Sequence, residues 1–373
     1  MSCLSGTCIT KSFSPAVLTL IPVRLSLGLN HEFDADPSNQ VCMKRKLADI
    51  ADRAIAGAGA SREEAEWLAS FVVPLTALTA QAERIRRHFH GDEAVFCGIV
   101  NARSGSCSSD CRFCAQSAHA HAAIERYPML SVAAIVASAK TLAAQGVHCF
   151  GIITSGPAAT AAEVEVVVAA VRQIRQETGL EVSASLGMLG EKELRQLQAA
   201  GITRYHHNLE TSRAFFPNIC TTHAWDERLA TLRRVQALGL ELCSGGLFGL
   251  GEGWADRIDL ALTLREVGVR SVPLNFLNPI PGTPLQDRPP LSADEALRIV
   301  ALYRFLLPEA TLRICGGRPI TLGERQDEVF RAGANALMTG NYLTTPGQDP
   351  ESDAALVGRC GLRLRGRAMP SSS

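Results

Sequence analysis

Three cysteines fall within eight residues of this chain, Cys107, Cys111 and Cys114, in the run CSSDCRFC. Thiolates are the usual protein ligands of iron–sulfur clusters. A C-x3-C-x2-C spacing lets one short loop hold three irons of a cubane, and the fourth iron is then open to a ligand that is not protein. Two other readings use the same thiols. A structural zinc site closes its tetrahedron with a further Cys or His at a characteristic spacing; His119 is the near candidate, and its spacing is not typical. A simple electron-carrying cluster asks for a fourth local Cys.

The elements that must position this loop can be read from periodicity. Eight short apolar runs, 95–101, 148–155, 181–187, 204–210, 240–248, 271–277, 311–317 and 335–340, alternate with helical patterns. The helical stretches between them include 131–145, 160–177, 191–200, 224–238, 254–267 and 292–306, and three more, 43–57, 61–70 and 74–90, come first. Gly146, Gly201 and Gly239 stand just past helices, where a left-handed cap favours glycine. Eight β/α units in about 250 residues predict one closed (β/α)8 barrel of TIM type. It spans 41–366 and carries an N-terminal helical layer. A doubly wound open sheet is the rival, but it would place a Gly-rich phosphate turn after its first strand. Here that position holds the cysteines, on the barrel face where such enzymes do their chemistry.

The flanks and the composition narrow the class. Residues 1–40 predict a poorly ordered leader and 367–373 a frayed tail. The apolar stretch Pro15–Leu29 follows Lys11 in the manner of a signal peptide, but Arg24 interrupts it and no small-residue cleavage site follows. No apolar run reaches the length of about 20 residues that spans a bilayer. The 37 basic and 37 acidic residues cancel, so charge gives no reason to expect nucleic acid or an anionic membrane as partner. Twelve cysteines in a long periodic chain point to metal ligation and a reducing cytoplasm rather than to a secreted disulfide scaffold.

With an aromatic residue, Phe113, ahead of its last Cys, the motif resembles that of radical S-adenosylmethionine enzymes. Over about residues 45–365 the chain is similar to the biotin synthases. The matching segments are SGSCSSDCRFCAQS at the cluster loop, YHHNLETS (205–212), CSGGLFGLGE (243–252), VPLNFL (272–277), GTPL (282–285) and AGAN…GNYLTT (332–345). The resemblance implies a [4Fe–4S] cluster on Cys107, Cys111 and Cys114, whose open iron binds the amino and carboxylate groups of S-adenosylmethionine. Reductive cleavage of the cofactor's C–S bond then gives a 5′-deoxyadenosyl radical, which takes hydrogen from dethiobiotin on the way to biotin. It also implies that Phe113 lies near the adenine and that Asn208 and Asn275 orient substrate and cofactor. Glu210 matches an acidic position that accepts from the ribose diol, which a carboxylate can do. The family more often has Asp there, and His206 stands where Asn is common. A reduced flavodoxin or ferredoxin as electron donor and a homodimer are implied as well. Radical enzymes of the hydrogenase-maturation or methylornithine-forming type, and a non-catalytic iron–sulfur or zinc module, are the alternatives.

The chain also departs from the family. The resemblance implies a second, auxiliary cluster inside the barrel, [2Fe–2S] in the family, which supplies the sulfur and is held by three Cys and one Arg. Cys243 and Arg313 match two of those positions, while Gly151 and Ser183 stand at the other two. Glycine has no side-chain ligand and serine replaces a thiolate poorly. Strand side chains alternate, so Cys315 points the same way as Arg313, and Cys149 the same way as Gly151 but further down its strand. Cys220 lies in the loop after the fourth strand. Cys243, Cys315 and Cys220 are thus the expected substitute ligands, beside Arg313. Relatives sharing NICTTH (218–223) and RICGGR (313–318) imply a larger auxiliary cluster. The alternative for Cys149, Cys220 and Cys315 is the small buried hydrophobe that free Cys often is. Cys97 reads as packing, and Cys3, Cys8, Cys42 and Cys360 receive no role.

Overall fold

The computed structural model describes residues 37–365. The expected tail and residues 1–36 of the expected leader lie outside the described residues. The chain divides into Met1–Cys42 and Met43–Ser373, and the barrel belongs to the second unit. Helix α1 (Pro37–Ile55) starts six positions before the Met43 expected from the sequence. It is followed by α2 (Arg62–Ala69) and α3 (Leu75–His90), the predicted helical layer. Ser61 begins α2 through a capping box. Its hydroxyl accepts from the Glu64 N–H at 3.2 Å, and Glu64 accepts from the Ser61 N–H at 2.9 Å.

The barrel then runs β1 (Glu93–Arg103), α4 (Val132–Ala144), β2 (Cys149–Thr154), α5 (Ala161–Glu177), β3 (Glu181–Ser185), α6 (Glu191–Ala200), β4 (Arg204–His206), α7 (Trp225–Ala237), β5 (Glu241–Cys243), β6 (Gly246–Phe248), α8 (Trp254–Glu266), β7 (Ser271–Phe276), α9 (Ala293–Leu306), β8 (Thr311–Ile314), α10 (Arg318–Leu322), α11 (Glu328–Arg331) and β9 (Ala336–Met338). Every strand pairing is parallel, in the order β1-β2-β3-β4-β5-β7-β8-β9. β9 returns to β1 with Val95 opposite Ala336 and Cys97 opposite Met338, so the barrel closes. The helix α12 (Pro350–Arg359) leads to β10 (Arg363–Leu364), which pairs with Glu93 and Ala94 at the start of β1.

Alternation along the strands decides which side chains pack and which face the interior. Phe96, Phe150, Val182, Tyr205, Leu242, Leu274, Leu312 and Leu337 are buried in the main apolar core. Their neighbours of opposite parity, among them Cys97, Gly151, Ser183, Cys243 and Arg313, line a cavity inside the barrel.

One predicted strand, 240–248, is broken into β5 and β6 at Ser244 and Gly245. The opposite residue, Pro273, has no N–H to offer the ladder. The chain also comes so close that a Cβ on Gly245 would lie 1.9 Å from the Pro273 carbonyl oxygen. The short helices α10, α11 and α12 were not anticipated.

Candidate radical S-adenosylmethionine site

The C-terminal ends of the strands surround a cavity of about 370 Å³, lined by Cys107, Cys111, Cys114, Phe113, Asn208, Glu210, Asn275 and Cys315 among others. Residues that the sequence scatters over two hundred positions therefore face one space. Its size falls in the range of small-ligand sites.

The cluster loop is folded by its own backbone. Cys107 donates to the Gln116 carbonyl at 3.0 Å, Ala118 to Cys107 at 2.7 Å, and Cys114 to Cys111 at 3.0 Å. The Gln116 side chain accepts from Asn101 at 3.0 Å and from the Gly105 N–H at 3.2 Å, tying the loop to the end of β1. A second clamp is Asp110. Its carboxylate accepts from the Thr221 N–H at 2.9 Å, the Thr222 N–H at 3.2 Å, the Thr222 hydroxyl at 3.0 Å, the Cys220 thiol at 3.3 Å and the Thr221 hydroxyl. Burial alone would raise its pKa, but these hydrogen bonds win and hold it well below the usual carboxylate range.

The three thiols of one short loop line one cavity, and a cubane takes each thiolate at a separate corner. The His119 ring, the near zinc candidate, sits 3.2 Å from the Ser108 carbonyl oxygen. Burial raises the Cys114 pKa to about 11. The Cys111 thiol is pushed up by its hydrogen bond to Cys220 and by burial, while the same bond lowers Cys220 to about 6. Loading a cluster here must therefore release protons.

Opposite the loop lies a polar wall. Glu210, at φ +70°, sits in the left-handed region that side chains other than glycine seldom adopt. Its carboxylate is 3.2 Å from Arg228 and accepts from the Asn208 amide at 3.4 Å. Burial raises its pKa against both partners. Asn208 accepts from the Gly245 N–H at 3.0 Å, in the break between β5 and β6. Asn275 does likewise across β7, accepting from the Gly316 N–H at 3.0 Å and donating to the Gly246 carbonyl at 3.2 Å. His206 bridges Ser185 at 3.1 Å and Asn208 at 3.0 Å. Burial depresses its pKa to about 4, so it is a neutral ring. Arg228 was missed in the sequence. It donates to the Asn208 carbonyl at 2.7 Å and approaches His223 at 3.1 Å. Its position on an ordinary amphipathic helix, α7, gave no signal.

Beneath this cavity is a smaller one of about 40 Å³, lined by Cys97, Gly151, Ser183, Arg204, Cys243, Arg313 and Cys315 among others. The expected trio of Cys243, Arg313 and Cys315 is thus together. Arg313 donates to the Ser271 hydroxyl at 3.1 Å and lies 3.9 Å from the Cys243 sulfur. Gly151 and Ser183 are register partners on β2 and β3.

The structure sets Cys220 apart from Cys243 and Cys315. Cys220 lines neither cavity and packs beside Cys111, Asp110, Thr222 and His223. The Asp110 clamp draws its loop onto the cluster loop. Cys97, read as packing in the sequence, lines the floor cavity instead, and Cys149 sits beside it. Cys97 and Cys149 are register partners on β1 and β2 and share a hydrogen bond. That bond, with Arg313 and Arg204 nearby, lowers Cys149 to about 6.

A closed (β/α)8 barrel with a three-thiol loop at its catalytic face defines a radical S-adenosylmethionine enzyme. Residues 103–264 match the Radical SAM superfamily, and residues 273–363 match the Biotin and Thiamin Synthesis associated domain. The chain is 47% identical over 322 residues to the biotin synthase of Syntrophotalea carbinolica, covering 86% of this chain and 98% of that protein. It is 49% identical over 310 residues to the biotin synthase of Heliobacterium modesticaldum, covering 83% and 95%. The chain belongs to the biotin synthase family. Among solved structures, methylornithine synthase superposes with a TM-score of 0.73 at 19% identity, covering 84% of this chain and 97% of that one. The hydrogenase maturase HydG superposes with a TM-score of 0.74 at 17% identity, covering 86% and 76%. At those identities they show the shared fold alone. No described helix is long and apolar enough to cross a membrane.

Proposed function

We propose that this chain converts dethiobiotin to biotin by radical sulfur insertion. The observation that carries the reading is the vertical order of the barrel interior. The three-thiol loop and the polar wall share the upper cavity, and Cys243 with Arg313 lies directly below, with Cys315 lining both spaces. When bound, the [4Fe–4S] cluster and S-adenosylmethionine supply the radical that takes hydrogen from carbon, and an auxiliary iron–sulfur group supplies sulfur.

The chain's own residues bind, orient and exclude water. Cys107, Cys111 and Cys114 hold the cluster, and Phe113 gives the cofactor an apolar wall. Glu210, fixed by Arg228 and Asn208, accepts from the ribose hydroxyls. Asn275 and Asn208 pin the strand ends through their hydrogen bonds and fix the polar wall of the space the substrate would fill. His206, neutral and doubly hydrogen-bonded, faces both cavities without adding charge. A reduced flavodoxin or ferredoxin as donor, a homodimeric state and a cytoplasmic location complete the proposal, on the strength of the family likeness.

The test is anaerobic turnover. Dethiobiotin should raise 5′-deoxyadenosine above the substrate-free background, with biotin in step. Substrate deuterated at the two carbons that gain sulfur should pass deuterium into 5′-deoxyadenosine. Cys111→Ala should abolish cleavage of S-adenosylmethionine. Cleavage by Cys111→Ala at the parental rate, or no deuterium transfer with a loaded cluster, would refute the proposal.

A further inference from the structure

Arg313 is an anomaly in the barrel floor. It is 3% exposed, and its Nε has no hydrogen-bond partner. Its Nη1 reaches only the Ser271 hydroxyl and the Cys243 sulfur. Among the described residues no carboxylate pairs with it. A buried guanidinium stays charged, and a lone buried charge is costly unless something anionic answers it.

What surrounds this cation is thiol. Cys97, Cys243 and Cys315 line the same small cavity. Cys149, just outside that lining, hydrogen-bonds Cys97, donates to Glu181 at 3.5 Å and lies 3.3 Å from Arg204. Packing alone would be served by valine or alanine. Three thiols on the cavity of one unpaired guanidinium, with Cys149 bonded to one of them, form a donor set, and four thiolates are the complement that an iron–sulfur cluster takes. Such a cluster in its oxidised state carries net negative charge, which Arg313 would balance; Arg204 is already paired with Glu241 at 2.9 Å and Glu181 at 3.4 Å. The register shows how the set replaces what the chain lacks. Ile99, Gly151 and Ser183 form one layer across β1, β2 and β3; Cys97 and Cys149 lie two residues down on the same faces.

We propose that Cys97, Cys149, Cys243 and Cys315 hold the sulfur-donating iron–sulfur group of this chain, with Arg313 as its counter-cation. The proposal rests on the function given above. It differs from the sequence expectation by replacing Cys220 with Cys97 and Cys149. With a floor cavity of only about 40 Å³, the group fills the floor and extends into the upper cavity, whose wall includes Cys315.

The experiment uses the full chain carrying Cys107→Ala, Cys111→Ala and Cys114→Ala, reconstituted anaerobically with iron and sulfide. Iron and sulfide content and Mössbauer spectra then report the floor alone. The triple variant should retain an iron pool. Adding Cys97→Ser and Cys149→Ser should remove that pool, and adding Cys220→Ser should leave it. Arg313→Met guards against a folding artefact because two effects of opposite sign are expected. It should lower iron retention while raising the melting temperature of the iron-free protein, from which a lone buried charge has gone. Iron that survives loss of Cys97 and Cys149, iron that disappears with Cys220, no iron in the triple variant, or an Arg313→Met protein that melts lower without iron would each overturn the assignment. Failure of the unmodified chain to cleave S-adenosylmethionine would instead sink the functional reading, since the iron count does not depend on cleavage.

Discussion

Asp110→Ala isolates the contribution of the loop clamp to cluster retention. The carboxylate joins the cluster loop to residues 220–222 through two backbone N–H donors, two hydroxyls and a thiol. Hydrogen bonds to a charged group contribute about 1.5–3 kcal/mol each when well buried. This group is partly solvated, and water replaces much of what alanine removes, so about 2 kcal/mol for the whole clamp is the working figure. That corresponds to roughly a thirtyfold rise in the population of loop-opened molecules. Iron release from the reconstituted protein to a strong chelator should accelerate by about that factor, because release needs the loop open. The sign with pH follows from the depressed pKa. The clamp is fully present above the unfolded carboxyl value and weakens only as pH falls through the lower folded value. The Asp110 carboxylate itself therefore does not titrate between pH 6 and pH 9, and the variant should release iron faster than the parent throughout that range. Release rates within twofold of each other across it would refute the clamp.

Two further outcomes follow from the same geometry. Glu210→Gln keeps the shape but weakens acceptance from a diol, so the KM for S-adenosylmethionine should rise about tenfold; an unchanged KM with a lowered melting temperature would make the residue structural. His90 accepts from Arg304 at 3.2 Å, and burial followed by that cation depresses its pKa to about 3. Its neutral form is required in the fold, so stability is intact above pH 6.5 and is lost as pH falls toward 3, by about 2 kcal/mol at pH 5. Urea unfolding at pH 7 and pH 5 should show that loss, and His90→Gln should reduce it.

The barrel was legible in the sequence because its two periods are clean. All eight predicted runs lie on strands, and Gly146, Gly201 and Gly239 take the positive φ that their places after helices demand. The break at Ser244 and Gly245 was not legible, because it depends on Pro273, a residue on a different strand. The mouth of the site was legible from motif and resemblance, with Arg228 the exception. The floor was only half legible for a definite reason. Parity along one strand is local, and it correctly sent Cys315 inward with Arg313. Whether Cys97 meets Cys149 depends on the register between β1 and β2, which no local pattern states. Cys220 went the other way because a loop, unlike a strand, has no parity to read.

The two thiol sets differ in their mounting, and the difference matters for the chemistry between them. Cys107, Cys111 and Cys114 are half-buried on a loop, where an iron can keep one position open to a small molecule. Cys97, Cys149, Cys243 and Cys315 are buried on or beside strands of a closed barrel, where side chains have little freedom to move. A substrate that must lose hydrogen to one side and gain sulfur from the other has a single place to sit, the upper cavity between them. Asn208 and Asn275 act on that geometry from its edge. By hydrogen bonding to Gly245, Gly246 and Gly316, they pin the strand ends that border the space. The glycine at 151 belongs to the same argument. A cysteine there would bring a ligand to the upper layer, but its Cβ would lie 3.1 Å from the Ile99 side chain and 3.4 Å from the Ser183 hydroxyl. Gly151 and Ser183, register partners on the cavity wall, leave that layer open, and Cys149 lies two positions below Gly151 on the same face.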